Sequence, residues 1–479
     1  MSSALLQSIL SNTWSVFLII VFFNGTIFVH ELGHFLAARR RGVRVERFSI
    51  GFGPKIFGWR GQDGVEYRLS WLPLGGYVLL PQLADLRAME GESAVPVETL
   101  PPVGYATRML VFVAGAAANM VFAFLLACVV WLVGQPTPSD FNTTTIGQVL
   151  PTITLPDNRE VPSPASQAGF RAGDIVRAID GIKVADWSEL QQTLYAGAGR
   201  AADGRRMAVF TLDRAGQKLE LTVYPLLVGS ERTRFIGVAP AEDWIVGAVK
   251  PGLLGDKIGL QPGDQILAYD SIPLLSRSAF LEYLKDNRAR AVRLTVLRGA
   301  ERLAPEIPPR PARTDFTDLG FQPRLTIVVL HPDPIRQLRD DLDPTIRVLT
   351  GLFNPRSDVR VSQLSGPVGI ITVFYFTAQN DVRLVLWFTI LLNVNLAVIN
   401  LLPIPVFDGG QMLFATINRL RRQSLPTDFV LTTQSVFVVL IITFFVYVTF
   451  FDVRRFRRDT QPNPAPPPAV KTGTAPAAP

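Results

Sequence analysis

A chain of 479 residues in which 48% are hydrophobic and only 18% charged departs from soluble domains, where about a quarter of residues carry charge. That balance excludes a largely disordered chain and the collagenous and low-complexity classes, and it points to a membrane protein. The surplus of 47 Lys and Arg over 40 Asp and Glu leaves +7, but the excess gathers beside apolar runs and so marks membrane orientation rather than nucleic-acid binding.

Crossing a hydrocarbon core of roughly 30 Å takes about 20 helical residues. The first such stretch lies within 1–40. Its first 29 residues carry no charge, and the run Trp14 to Val29 continues into His30-Glu31-Leu32-Gly33-His34. It lacks the basic n-region and A-x-A site of a cleaved signal peptide. Arg39, Arg40, Arg41, Arg44 and Arg47 follow, which puts 41–105 on the cytoplasmic side. Within it, residues 48 to 80 alternate partially with period two around Gly51, Gly53, Gly75 and Gly76, a strand and hairpin pattern. The second span, Met109 to Gly134 within 106–135, contains the lone Cys128, a buried structural thiol with no partner for a disulfide. Gly115-Ala-Ala-Ala-Asn119 in the same span reads as small-residue helix packing.

The long extracytoplasmic stretch that follows contains a repeat. Gly169 to Ile182 matches Gly259 to Ile272, each with a Gly-Asp turn before an apolar strand and a second turn at Asp180-Gly181 or Asp270-Ser271. Two similar β-rich modules over 140–228 and 235–308 are expected, each continuing into a helix near Glu189 to Leu194 or Ala279 to Leu284. After a linker and amphipathic region over 309–380, the third span, Leu384 to Phe407 within 381–410, ends in Asn400-Leu-Leu-Pro403-Ile-Pro405-Val-Phe-Asp408-Gly409-Gly410. The fourth, Phe429 to Phe451 within 411–452, follows Arg419, Arg421 and Arg422 on the inner side. Arg454, Arg455, Arg457 and Arg458 then fall on the outer side, against the usual charge bias. Residues 453–479 are expected to be a disordered tail, Pro/Ala-rich from 459.

The chemistry concentrates in the spans. Only three histidines occur in the chain, and two of them are His30 and His34. Helical i, i+4 spacing puts both imidazoles on one face, where they can share Zn²⁺ while Glu31 takes a proton from its bound water. Charged groups near a membrane helix end are costly without a function or a partner. A catalytic zinc site takes three protein ligands and one open position. His331, beside Pro332 and Pro334 on the outer side, is poorly placed to be the third. Asp408 arrives on the same inner side as His34, after two prolines that keep the backbone irregular. Pro-Ile-Pro and Asp-Gly-Gly also suit simple helix-end punctuation.

Taken together, HExxH at one span end, N-x-x-P-x-P-x-x-D-G at another and the paired modules between them resemble the site-2 protease family of intramembrane zinc metalloproteases. The likeness is to the bacterial regulator-of-sigma-E protease type with two PDZ domains, and it covers about 10 to 455. It implies an α-helical membrane protein with four transmembrane helices, a membrane-reentrant β-hairpin and two extracytoplasmic PDZ-like α+β domains. It further implies zinc held by His30, His34 and Asp408, Glu31 as catalytic base, and substrate contacts at Asn395, Asn400, Gly51 and Gly53. The implied partners are the lipid bilayer, a single-span substrate already trimmed by an upstream site-1 protease, an anti-sigma factor or a signal-peptide remnant, and a bacterial inner-membrane setting with the active site toward the cytoplasm. One feature departs from the pattern. The family's Gly-Pro pair ahead of an Asn is Gly115-Ala116 here, which leaves a role for Asn119 open.

PDZ folds receive chain ends by strand addition, but a spacer or size filter is equally compatible with the repeat. A membrane-anchored PDZ scaffold without a working metal site, and a zinc protease whose third ligand is a Glu on a later helix, are the rival readings.

Overall fold

The computed structural model describes residues 3–83, 100–155, 157, 159–229, 231–309, 319–324 and 326–460. Among them five apolar segments are long enough to cross a membrane: Asn12–Arg40, Tyr105–Val133, Val361–Asn380, Val382–Asn400 and Thr427–Arg458. The chain is thus a multi-pass membrane protein, with one apolar segment more than the four expected.

Helix α1 (Ser3–Arg40) packs antiparallel on α2 (Tyr105–Val133) at very close range. Gly33 makes the approach possible, because a Cβ there would lie 2.3 Å from the Ala114 carbonyl oxygen. Between the two helices comes a hairpin of β1 (Arg47–Arg60) and β2 (Glu66–Leu79). Phe48 pairs with both Val78 and Tyr67, and Trp59 also pairs with Tyr67, so the first half of β1 lies between two segments of a strongly bent β2. β1 bends too, where Gly51 and Gly53 sit at φ +84° and +87°. Phe35 of α1 packs edge-on against Phe48, anchoring the hairpin to the C-terminal half of the helix.

The two repeat copies share matching internal contacts. Asp174 receives a bidentate Arg214 at 2.7 and 2.8 Å, and Asp264 receives Arg298 the same way at 2.8 Å. Each arginine also donates to the carbonyl of the glycine that opens its copy, Gly169 or Gly259. The expected helices are α3 (Trp187–Ala196), capped by Asp186, and α4 (Arg277–Asp286), capped by Ser276. Three ladders reach past the limits drawn from sequence. Ile146–Val149 pairs with Val238–Pro240, Ile245–Val249 with Phe321–Arg324, and Gln135–Pro138 with Ile327–Leu330. Strand partners distant in sequence complete each sheet, which a local pattern does not reveal.

After the modules, α5 (Pro334–Phe353) lies on α2 and on the later helix Val382–Asn400. The additional apolar segment is a 3-10 turn followed by α6 (Pro367–Asn380). At 14 residues α6 is about 21 Å long, shorter than the hydrocarbon core. The third expected span is helical as α7 (Val382–Asn400) and irregular over 401–407, where Pro403 and Pro405 interrupt it. Helix α8 (Asp408–Arg421) is short, and α9 (Thr427–Thr460) is long.

Both ends of α6 stay at the bundle end that bears the modules. Gly366 and Gly369 donate N–H to Asp452 near the end of α9 at 3.0 and 2.8 Å, and Tyr375 and Gln379 donate to Asn12 near the start of α1. Helix α9 runs eight residues into the stretch expected as tail, because Arg455 and Arg458 pair with Glu231 just after the first module and Arg455 also with Asp452. Residues 461–479, the rest of that tail, lie outside the described residues.

Candidate metal centre

One turn of α1 brings His30 and His34 together with their Nε2 atoms 3.1 Å apart. Asp408 Oδ2 lies 3.4 Å from each. Among the described residues these three form a group whose ligand atoms all lie within 4.8 Å of one another. Asp408 Oδ2 is buried without a hydrogen-bond partner. Two imidazole nitrogens and an orphaned carboxylate oxygen at such range call for a shared cation. Bonds of 2.0 to 2.2 Å in a tetrahedral zinc site put neighbouring donors roughly 3.3 Å apart, so the donor set and its spacing fit zinc.

Each ligand is held from behind. His34 Nδ1–H donates to the Val111 carbonyl of α2 at 2.8 Å, which leaves the Nε2 lone pair facing the centre. The Asn119 carboxamide approaches His30 Nδ1 at 3.4 Å, and its Oδ1 is buried and unpaired. With Oδ1 turned to that nitrogen it accepts Nδ1–H and frees His30 Nε2 in the same way. Gly115 lies against both rings: a Cβ there would sit 2.4 Å from His34 Nε2, the ligand nitrogen itself, and 2.7 Å from His30 Cε1. The small-residue run of α2 therefore packs against the imidazoles themselves. Asp408 is turned inward by its neighbours. A Cβ on Gly409 would meet the Leu401 carbonyl at 2.3 Å, one on Gly410 the Ile404 carbonyl at 2.1 Å, and Gln411 Nε2 donates to the Pro405 carbonyl at 3.1 Å. Any larger residue pair would push α8 off the proline loop.

A cavity of about 210 Å³ opens on the three groups and is lined also by Glu31, Phe52, Tyr77, Asn400 and Gln411. Glu31 sits next to the hairpin, where a Cβ on Gly76 would lie 3.1 Å from its Cγ. Gly76 to Leu79 pair with β1 on one side; on the other no strand pairs with them among the described residues, and the Val78 N–H donates to the Glu31 carboxylate. Asn400 reaches the centre, with Nδ2 3.4 Å from His30 Nε2. Asn395 does not, because its carboxamide oxygen accepts from Thr345 of α5. Gly51 and Gly53 do not line the cavity, although Phe52 between them does. His331 lies at the other end of α2, with Nδ1 2.7 Å from the Trp131 carbonyl. Sequence reading takes Gly115 only as helix packing and Gly76 only as part of the hairpin, and gives no sign of the roles of Val111, Gly115 and Gly76 at the centre beyond a run of small residues on one helix.

The family model for peptidase family M50 matches residues 17–444. The chain is 30% identical over 433 residues to the regulator of sigma E protease of Salmonella typhi, covering 86% of this chain and 92% of the relative. It is 30% identical over 435 residues to the regulator of sigma-E protease RseP of Escherichia coli K12, with the same coverage, and 29% identical over 446 residues to a putative zinc metalloprotease of Xylella fastidiosa. The chain belongs to peptidase family M50, the site-2 proteases, and is a zinc metalloprotease of regulated intramembrane proteolysis.

Proposed function

We propose that this M50 protease holds its zinc with His30, His34 and Asp408 and uses Glu31 as the base that cuts a peptide bond in or near the membrane segment of a pre-trimmed single-span protein. The observation that carries the assignment is the buried, unpartnered Asp408 Oδ2 at 3.4 Å from both imidazoles. When bound, zinc supplies a Lewis acid that polarises the scissile carbonyl and lowers the pKa of water. Glu31, in the same cavity, accepts the proton of the attacking water and passes it to the leaving amine. Val111 and Asn119 keep the ligand tautomers that present lone pairs inward.

A helical substrate hides its peptide bonds in its own hydrogen-bond ladder, so it must unwind before it is cut, and its freed N–H and C=O groups need partners in a dry site. The open side of Gly76 to Leu79 can take an extended chain as an added strand beside Glu31. Asn400 is the second polar group offered to such a chain. Asn395 is better suited to fixing α5 on α7, given its bond to Thr345.

In this reading α1, α2, α7 and α9 cross a bacterial inner membrane, the hairpin folds back into it, and α6 stays in the outer half. The contacts of both α6 ends with the module-bearing end of the bundle support that count. The modules are extracytoplasmic PDZ-like domains, and the basic end of α9 is tolerated outside because Glu231 and Asp452 neutralise part of it.

Co-expression with trimmed single-span candidates tests the activity. Wild-type protein should generate new ends within or beside the membrane segment and Glu31→Gln should not; equal cleavage by the variant would overturn the role of Glu31.

A further inference from the structure

A second cavity, larger than the one at the metal centre, lies elsewhere in the protein. It measures about 600 Å³ and opens where α2 begins, α8 ends and α9 begins. Three guanidiniums line it, those of Arg108, Arg419 and Arg422, together with the uncharged donors of Asn418, Ser424 and Thr427, and among the described residues no carboxylate does. Asp428, one residue on from Thr427, is not part of the lining. None of the three arginines has a carboxylate partner among the described residues; Arg108 is half-buried, and Arg419 and Arg422 are exposed.

Several details shape the cavity for an anion. Arg419 lies over the Tyr105 ring at 4.7 Å, and the Tyr105 hydroxyl is fixed by Thr416 at 3.1 Å, so this guanidinium is held in place. Arg108 donates Nε–H to the Val103 carbonyl, and its terminal nitrogens have no hydrogen-bond partner among the described residues. Asn418 Oδ1 accepts the Leu425 N–H at 2.8 Å, leaving its amide donors for a ligand. The positive end of α2, which has no side-chain cap, points at the same space. Val430 and Leu431 form the remaining wall and lead into the exposed apolar face of α9 at Phe429 and Val436. A polar anion site with an apolar exit along a membrane helix matches a phosphodiester joined to acyl chains and not a free phosphate.

We infer that this cavity binds the headgroup of an anionic membrane phospholipid through Arg108, Arg419 and Arg422. Its position links it to the metal centre: α8 carries Asp408 at its other end, and α2 carries Val111, the partner of His34, one turn beyond Arg108. An occupied cavity therefore neutralises three like charges at the junction of the two helices that hold the ligands.

Native mass spectrometry of the full-length protein, delipidated in neutral detergent and offered equal phosphatidylglycerol and phosphatidylcholine, tests this. Wild-type protein should retain phosphatidylglycerol preferentially. Arg422 sits at φ +55° as the left-handed cap of α8, so Arg422→Gly removes the charge at a position whose backbone suits glycine. It should weaken retention ~fivefold, and R108Q/R419Q/R422G more, at about fivefold per guanidinium. The exposed triple variant R40Q/R41Q/R44Q should retain lipid as wild type does. No preference in wild type, no effect of Arg422→Gly, or an equal loss in the Arg40 set would each overturn the inference. Glycerol 3-phosphate displacing the lipid at equal concentration would overturn the lipid as the source of the anion. If the triple variant does not fold, Arg422→Gly decides alone.

Discussion

Arg234, its side chain closed to solvent, donates Nε–H to Asp358 at 2.8 Å across 124 residues of sequence. Arg200 and Arg206 reach the same carboxylate at 3.1 and 3.0 Å. One acidic group thus ties the first module to the segment that enters α6. Burial alone would raise the Asp358 carboxyl, but the three guanidiniums outweigh it and hold it below the ordinary range. A depressed carboxyl contributes stability above its unfolded value, about 3.9, and loses it as pH falls through the lower folded value. Asp358→Ala leaves three guanidiniums facing one another and should cost on the order of 3 kcal/mol at this junction. Limited proteolysis between the module and α6 should accelerate in the variant; unchanged cleavage kinetics would show the clamp to be inert.

Asp341 on α5 behaves in the opposite way. It is buried, its Oδ2 has no hydrogen-bond partner, and burial together with neighbouring Asp340 pushes its carboxyl up to about 7. A raised carboxyl favours the fold below its unfolded value, and that contribution disappears as pH rises through about 7. Wild-type melting temperature should therefore drop between mildly acidic and mildly alkaline buffer. Asp341→Asn should flatten the drop and be the more stable protein on the alkaline side. Parallel curves for the two proteins would remove Asp341 from the explanation.

Gly115 offers a test of how the ligands are seated. Alanine suits a helix interior better than glycine, yet at this position its methyl would run into both imidazoles. Gly115→Ala should fold normally and bind zinc about 10 to 100 times more weakly, as expected when groups around metal ligands are disturbed. Gly25→Ala on α1, where a Cβ meets nothing within 4 Å, should keep full affinity. Equal affinity in the two variants would argue against contact between Gly115 and the rings.

Much of the site was legible because its chemistry is local. The i, i+4 spacing of His30 and His34 fixes their shared face, and Pro403 and Pro405 announce the break that delivers Asp408. The repeat announced two modules through Gly169-to-Asp180 and Gly259-to-Asp270, where turn chemistry is encoded within a dozen residues. What stayed hidden depends on partners far away in sequence. Gly115 matters only because α1 lies against it, Asn395 is engaged only because α5 returns to α7, and the strands Val238–Pro240 and Phe321–Arg324 belong to sheets that start about 80 to 90 residues earlier. The segment of α6 was passed over because it is apolar yet short, a length at which interfacial and spanning helices look alike.

Metal content measured on purified Asp408→Ala beside the wild type and Glu31→Gln tests the three-residue centre most directly. Wild type and Glu31→Gln should each hold one zinc per chain, and Asp408→Ala, like His34→Ala, should lose it while keeping its fold. Stoichiometric zinc in Asp408→Ala would contradict the assignment and require a ligand elsewhere.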